Sequence, residues 1–127
     1  MIVIDTSALV AVILKEAGAS SCEACLRIET ERLLSAGTMA EALIVAARKT
    51  LRPEMETLIA GLQCEIAPVT AGSARRVADA YDRWGKGVHR AGLNFGDCFA
   101  YELAKSRDCP LLFIGDDFSK TDIRSAM

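Results

Sequence analysis

Acidic side chains occur at four points where a strand-like stretch meets a helix-like stretch. Asp5 follows MIVI, Glu41 lies in SAGTMAEALIV, Asp97 lies in NFGDCFAYELA, and Asp116 with Asp117 follows PLLFIG. Each acid adjoins an apolar stretch, where an unpaired carboxylate costs free energy. Carboxylates that gather in one place repel one another unless a divalent cation binds, and all-oxygen ligands select hard metals such as Mg²⁺ or Mn²⁺. The pattern therefore indicates a shared acidic pocket for a hard metal.

Three of these acids also have a purely structural explanation. Asp5 suits the N-cap of a helix, so that for Asp5 alone the two roles are evenly matched. Glu41 completes a capping box that begins at Thr38, and for Glu41 alone the capping role is favoured. Asp97 lies three residues after Asn94, a good N-cap, where an acid complements the helix dipole. The pocket hypothesis therefore depends on the coincidence of the acids and not on any one of them.

Asp97 is the acid that most favours a functional role. It shares a helix face with Ala100, Tyr101 and Ala104, at the i+3, i+4 and i+7 positions, and this apolar stripe is expected to face the core. A carboxylate at the start of a buried stripe needs a partner, and no lysine or arginine precedes it nearby.

The last acidic cluster, in IGDDF, suits a tight turn but also lies at the end of a predicted strand. Asp116 is our choice for the residue that completes the pocket, and Asp117 remains an alternative. Asp122 is a further candidate nearby.

The elements that must position these acids alternate between strand and helix. Strands are predicted at 2–4, 32–35, 65–69 and 111–114, with Pro68 making the third brief or an edge strand, and helices at 6–15, 17–29, 37–50, 53–61, 73–84 and 94–106. This alternation predicts one α/β domain over residues 1–127, with a mostly parallel sheet of about four to five strands and helices on both faces. Ligands bind outside the carboxyl ends of such strands, which is where Asp5 must lie. In the helix at 73–84, the apolar stripe is Ala74, Val77, Ala78 and Tyr81.

Composition excludes several other classes of function. A net charge of −2 and a pI near 5.4 argue against a protein that binds nucleic acid by general phosphate attraction. The single histidine, His89, excludes a histidine-based zinc site. Cys22 and Cys25 form a CxxC inside a helical pattern, where two thiols on one helix face are the simplest interpretation. The chain has no apolar run long enough for a membrane span, so we expect a soluble cytoplasmic protein with no membrane contact.

One basic cluster consists of Arg83, at the end of the helix at 73–84, and of Lys86, His89 and Arg90 in the glycine-punctuated loop 85–93. It either steers a phosphate-containing substrate or is a solvated loop, and the sequence leaves both open. Thr6 or Ser7 could hydrogen-bond a phosphate oxygen or one of the acids.

Four segments resemble, in the same order, the motifs of the PIN-domain nucleases, and specifically the VapC toxins of bacterial toxin–antitoxin pairs: VIDTSAL, SAGTMAEA, GLNFGDCFAYELAK and PLLFIGDDFSKTDI. The resemblance covers essentially the whole chain. It implies a PIN-like three-layer sandwich and a metal-dependent endoribonuclease toxin that hydrolyses RNA by metal-activated water. The catalytic residues so implied are Asp5, Glu41, Asp97 and one of Asp116 and Asp117.

The resemblance further implies a Mg²⁺ or Mn²⁺ ion held chiefly through Asp5 and Asp97, an RNA substrate, a VapB-type antitoxin and a homodimer. The alternative is a PIN-like module that binds RNA or a partner with little or no catalysis. Phosphate transfer through an aspartate is a weaker alternative, since the second aspartate that a dehalogenase-like motif needs is replaced by Ser7.

Overall fold

The computed structural model describes all 127 residues. The strands are β1 (Ile2–Ile4), β2 (Arg32–Ser35), β3 (Glu65–Ala67) and β4 (Leu111–Leu112). The helices are α1 (Thr6–Leu14), α2 (Ala19–Ile28), α3 (Ala36–Arg48), α4 (Arg52–Leu62), α5 (Ala71–Trp84) and α6 (Phe95–Arg107), and a 3₁₀ turn covers Phe118–Lys120. No helix is both long enough and apolar enough to cross a membrane.

The four strands form one parallel sheet in the order β3-β2-β1-β4. β1 lies in the interior, where Val3 is paired with Leu33 of β2 and with Leu111 of β4. β3 is an edge strand of three residues followed by Pro68, which agrees with the prediction that the proline limits it. The predicted α/β class with a parallel sheet is confirmed.

Strand β4 is shorter than predicted because its partner β1 ends at Ile4. The last backbone bond between them runs from the N–H of Asp5 to the carbonyl of Leu112, at 2.9 Å. Two residues later, the N–H of Ile114 donates to Oγ of Ser7 at 3.0 Å. A side chain of the first helix thus replaces the missing strand and fixes the start of the acidic turn.

Successive strand residues point to opposite faces of the sheet and build two cores. Val3, Leu33 and Leu111 pack on one face, against buried side chains of α5 and α6. Their neighbours pack on the other face, against α1, α2, α3 and α4, and are Ile2, Ile4, Leu34 and Leu112. The result is three layers with helices on both faces, as predicted.

The apolar stripe of α5 is buried only in part. Val77 is buried, but Ala74, Ala78 and Tyr81 are exposed, and Tyr81 retains 37% of its surface. The face that packs on the sheet is more polar and consists of Ser73, Val77 and Ala80, with Trp84 half-buried. The apolar stripe instead lines an open groove at the start of α6.

Candidate active site

Asp5 lies where β1 ends and is the N-cap of α1. Its Oδ2 accepts hydrogen bonds from the N–H of Ser7, at 3.0 Å, and from Oγ of Ser7, at 2.6 Å. The side chain is buried, with 2% of the residue exposed, and its Oδ1 has no hydrogen-bond partner. Asp5 is therefore a helix N-cap, which was one of the two roles predicted for it. Its Oδ1 is also buried, and the capping role does not explain why.

Glu41 does not belong to a capping box. Helix α3 begins at Ala36, and its N-cap is Ser35, whose Oγ accepts from the N–H of Gly37 at 3.2 Å. Glu41 is therefore more than one turn inside the helix, and its Oε1 accepts a 2.6 Å hydrogen bond from Oγ1 of Thr6. The capping interpretation is wrong because the helix begins before Thr38, and the glutamate instead joins α3 to the start of α1.

Asp97 lies in the first turn of α6 and forms a capping box with Asn94. The Asp97 N–H donates to Oδ1 of Asn94 at 2.8 Å, and the Asn94 N–H donates to Oδ2 of Asp97 at 2.9 Å. The predicted stripe of Ala100, Tyr101 and Ala104 is buried, while Asp97 itself is half-buried at its rim. The helix thus fixes the carboxylate at the edge of the core.

The three acids share one hydrogen-bonding pattern. Each uses a single carboxylate oxygen to hold its place: Oδ2 of Asp5, Oε1 of Glu41 and Oδ2 of Asp97. The second oxygen of each accepts no hydrogen bond from the protein. Each carboxylate is therefore oriented by the fold and keeps one oxygen for a ligand.

The acids also perturb one another electrostatically. Burial raises the pKa of Asp5 to about 7, with the hydrogen bonds from Ser7 opposing the rise and the charges of Asp97 and Glu41 adding to it. Burial raises the pKa of Asp97 to about 6, opposed by the Asn94 backbone bond and reinforced by Glu41 and Asp117. Four acids from four separate segments are thus close enough for their charges to couple, and the coupling favours protons or a cation.

The two acids of the IGDDF turn differ in their relation to this cluster. Both are exposed, and neither side chain makes a hydrogen bond or ion pair within the protein. The charge of Asp117 raises the pKa of Asp97, whereas Asp116 perturbs neither Asp97 nor Asp5. Asp122 lies elsewhere: it accepts from Tyr101 at 2.6 Å and pairs with Lys105 at 3.1 Å, which fixes the C-terminal segment on α6.

Comparisons with known proteins show the family to which this chain belongs. The sequence profile of the family described as PIN domain matches residues 2–124. Ribonuclease VapC30 of Mycobacterium tuberculosis is 42% identical over 124 residues, which cover 95% of this chain and 95% of that protein. This chain belongs to the VapC family of PIN-domain proteins. The family predicted from its motifs is confirmed.

Solved structures show the same fold. The M. tuberculosis toxin VapC20, described as cleaving the sarcin–ricin loop, superposes with a TM-score of 0.79 at 14% identity, over 97% of this chain and 96% of that one. A toxin–antitoxin complex from Klebsiella pneumoniae superposes with a TM-score of 0.72 at 14% identity, over 96% of this chain and 93% of that one.

The donor set of this VapC-family site suits a hard cation. No three acidic, thiol or imidazole side chains converge tightly enough to form a ready-made metal-binding group. The chemistry of the set nevertheless fits, because Oδ1 of Asp5 is a buried oxygen with no partner and all the other available donors are carboxylates. A divalent cation would satisfy the orphaned oxygen and offset the repulsion among the acids.

The basic loop is partly structural. Arg83 stacks on the ring of Trp84, 4.6 Å from its centroid, and lies 3.9 Å from Asp122. His89 packs edge-on against Trp84, and its Nδ1 accepts from the N–H of Ala91 at 3.0 Å. Of the predicted cluster, Lys86 and Arg90 remain exposed with no acidic partner.

An open apolar groove of about 450 Å³ lies between α5 and the start of α6, the helix that carries Asp97. It is lined by Phe95, by the exposed stripe of α5 and by Lys86 and Asn94. Phe95 is 71% exposed and packs edge-on against Phe99. We name this surface the α5–α6 groove. The stripe of α5 was noted from the sequence, but the groove was not predicted from it.

Proposed function

We propose that this protein is a VapC-type ribonuclease toxin that hydrolyses RNA phosphodiester bonds. Its active site would contain the carboxylates of Asp5, Glu41 and Asp97. One observation carries the proposal: a buried aspartate at the end of the central strand keeps an unpaired oxygen, and its pKa is raised first by burial and further by the charges of two other acids. Relatives 42% identical over nearly the whole chain are named ribonucleases, which supports the same activity here.

In this proposal Asp5 and Asp97 hold a Mg²⁺ or Mn²⁺ ion, and Glu41 holds or orients a further ligand of the same pocket. The ion would polarise the scissile phosphate and lower the pKa of the attacking water. Support comes from the donor chemistry: three carboxylates each have one oxygen without a hydrogen bond, and no histidine is nearby.

The residues around the acids then serve to orient them. Ser7 donates twice to Oδ2 of Asp5, which directs Oδ1 towards the pocket, and it also holds the backbone of Ile114. Thr6 donates to Glu41, so one DTS segment orients two of the acids. Since these bonds exist before a ligand arrives, the carboxylates need little reorganisation when the substrate binds.

For the fourth acid we propose Asp117 in preference to Asp116. The charge of Asp117 acts on Asp97, whereas that of Asp116 does not. Both carboxylates are exposed and unpaired, which leaves them able to reach a cation or a water molecule at the rim of the pocket.

We also propose two protein partners, a VapB-type antitoxin and a second copy of this chain. For the second copy, the α5–α6 groove offers the interface: Phe95 and Tyr81, exposed at 71% and 37%, line one groove together with the exposed alanines of α5, and apolar side chains gathered in one patch are typical of interaction sites. Light scattering coupled to size-exclusion chromatography should find twice the chain mass. The variant Phe95→Ser should shift it towards the monomer, and Val88→Ser, which alters an exposed side chain outside the groove, should not.

The function is tested with purified protein and a mixed RNA substrate. We expect cleavage that requires Mg²⁺ or Mn²⁺, stops when EDTA is added, and disappears in Asp5→Asn and Asp97→Asn. Cleavage that persists in both variants would refute the pocket. RNA binding without cleavage, under every metal tested, would instead favour the PIN-like binding module.

A further inference from the structure

Gly96 of α6 directly adjoins the carboxylate of Glu41 on α3. A Cβ atom built on Gly96 would overlap both carboxylate oxygens of Glu41. The Glu41 carboxylate therefore occupies the space that any side chain at position 96 would need. From this place its Oε1 accepts the 2.6 Å bond from Thr6.

A second glycine makes the reciprocal contact between the same two helices. Gly37 lies one turn before Glu41 on α3, and a Cβ atom there would overlap the ring of Phe99 on α6. Each helix thus provides one glycine and one large side chain, and the large side chain of each lies over the glycine of the other. This packing lets α3 and α6 approach closely enough for Glu41 to reach the pocket that contains Asp97.

We propose that Gly96 is a positioning residue of the active site, whose missing side chain keeps the Glu41 carboxylate on Thr6 and beside Asp97 and Asp5. The inference rests on the proposed ribonuclease function. It adds to the site a residue that has no functional group of its own. Gly96 has no side chain that could contact a metal ion or the substrate. It therefore acts only through the position of Glu41.

The two glycines are expected to respond differently to an added methyl group. At Gly37 the obstacle is an aromatic ring held between two helices, so Gly37→Ala should lower the melting temperature. At Gly96 the obstacle is the end of a flexible side chain, and the backbone φ is not positive. Alanine is also the better helix former. Gly96→Ala should therefore fold with an unchanged or higher melting temperature while Glu41 is displaced.

A double-mutant cycle in the RNA cleavage assay separates positioning from general damage. We expect Gly96→Ala to lower kcat/KM at least tenfold relative to the wild type. In a protein that already carries Glu41→Gln, adding Gly96→Ala should lower kcat/KM no more than twofold. Gly61→Ala is the matched control, because it lies in helix α4 with nothing within 4 Å of the added atom, and its activity should stay within twofold of wild type. Losses that simply multiply in the double variant would overturn the inference.

The crystal structure of metal-free Gly96→Ala gives a readout that does not depend on activity. We expect the hydrogen bond between Thr6 and Glu41 to be broken there and intact in the wild type. If the wild-type protein cleaves no RNA, the proposed function fails, yet this structure still decides the role of Gly96. A Glu41 carboxylate that stays within hydrogen-bond distance of Thr6 in the variant would refute that role.

Discussion

The substitution Asp5→Asn should make the metal-free protein more stable at pH 8 while it abolishes RNA cleavage. Burial raises the pKa of Asp5 from 3.8 to about 7. The folded state therefore binds more protons than the unfolded state between these values, and stability falls as the pH rises through that interval. At about 1.36 kcal/mol per pH unit, the ionised form costs about 4 kcal/mol once the pH exceeds 7.

Asparagine avoids this cost and keeps part of the local structure. Its amide oxygen still accepts the two hydrogen bonds from Ser7, but its NH₂ group takes the position of the orphaned Oδ1 and stays unpaired, which costs about 1–3 kcal/mol. The net gain at pH 8 is then about 1–3 kcal/mol. At pH 5 the cost in the wild type is only about 2 kcal/mol, so the advantage of the variant should grow by about 2–3 kcal/mol from pH 5 to pH 8.

Urea denaturation in EDTA at pH 5 and at pH 8 measures this difference. The control is Asp79→Asn, which changes an exposed aspartate on α5 with no ion-pair partner and should show no such growth. Added Mn²⁺ should then shrink or reverse the variant's advantage, because a cation at 100 times its Kd stabilises the wild type by about 2.7 kcal/mol and the variant by less. An advantage that does not grow with pH, or a variant that Mn²⁺ stabilises as much as the wild type, would refute the reasoning.

Three further predictions concern the pocket and its support. Mn²⁺ affinity, measured by calorimetry, should rise about tenfold or more between pH 6 and pH 8, because Asp97 and Asp5, with pKa values of about 6 and about 7, lose their protons in this range. An affinity independent of pH would contradict their role as ligands. Asp117→Asn should lower kcat/KM at least tenfold more than Asp116→Asn, and the reverse order would restore our sequence-based choice. Tyr101→Phe should lower the free energy of unfolding by about 1–2 kcal/mol in thermal denaturation, because it leaves the Trp84 N–H without its 2.9 Å acceptor, and it should change activity little. A selective loss of activity would show instead that the hydrogen bonds of Tyr101 affect the active site.

The fold could be predicted because each segment carries a strong local signal. Strand β1 was predicted at its observed bounds, and Pro68 marked β3 as brief and at the edge. Strand β4 was overestimated because its end depends on Ser7, which is 107 residues away in sequence from Ile114 and takes over its N–H. Local patterns contain no information about such a distant bond.

The same limit explains the errors within the helices. Periodicity marked Ala74, Ala78 and Tyr81 as part of an apolar stripe, but it could not show that these residues stay exposed while Ser73 and Ala80 pack on the sheet. In our proposal this exposed stripe belongs to an interface, which is a property of two molecules and not of one sequence. Asp122 was placed near the pocket by its proximity in sequence, whereas Tyr101 and a lysine of α6 hold it elsewhere.

The site residues stay predictions, but the structure changes the argument for them. Capping and function were weighed as alternatives for Asp5 and Asp97, and the hydrogen bonds show that a carboxylate can serve both, since it has two oxygens. The oxygen that caps the helix also prevents the side chain from rotating, so the second oxygen is held in a fixed direction. Glu41 reaches the same condition through Thr6. Good capping signals at the ends of parallel strands therefore do not weigh against a metal site, because a cap made by one carboxylate oxygen fixes the direction of the other oxygen.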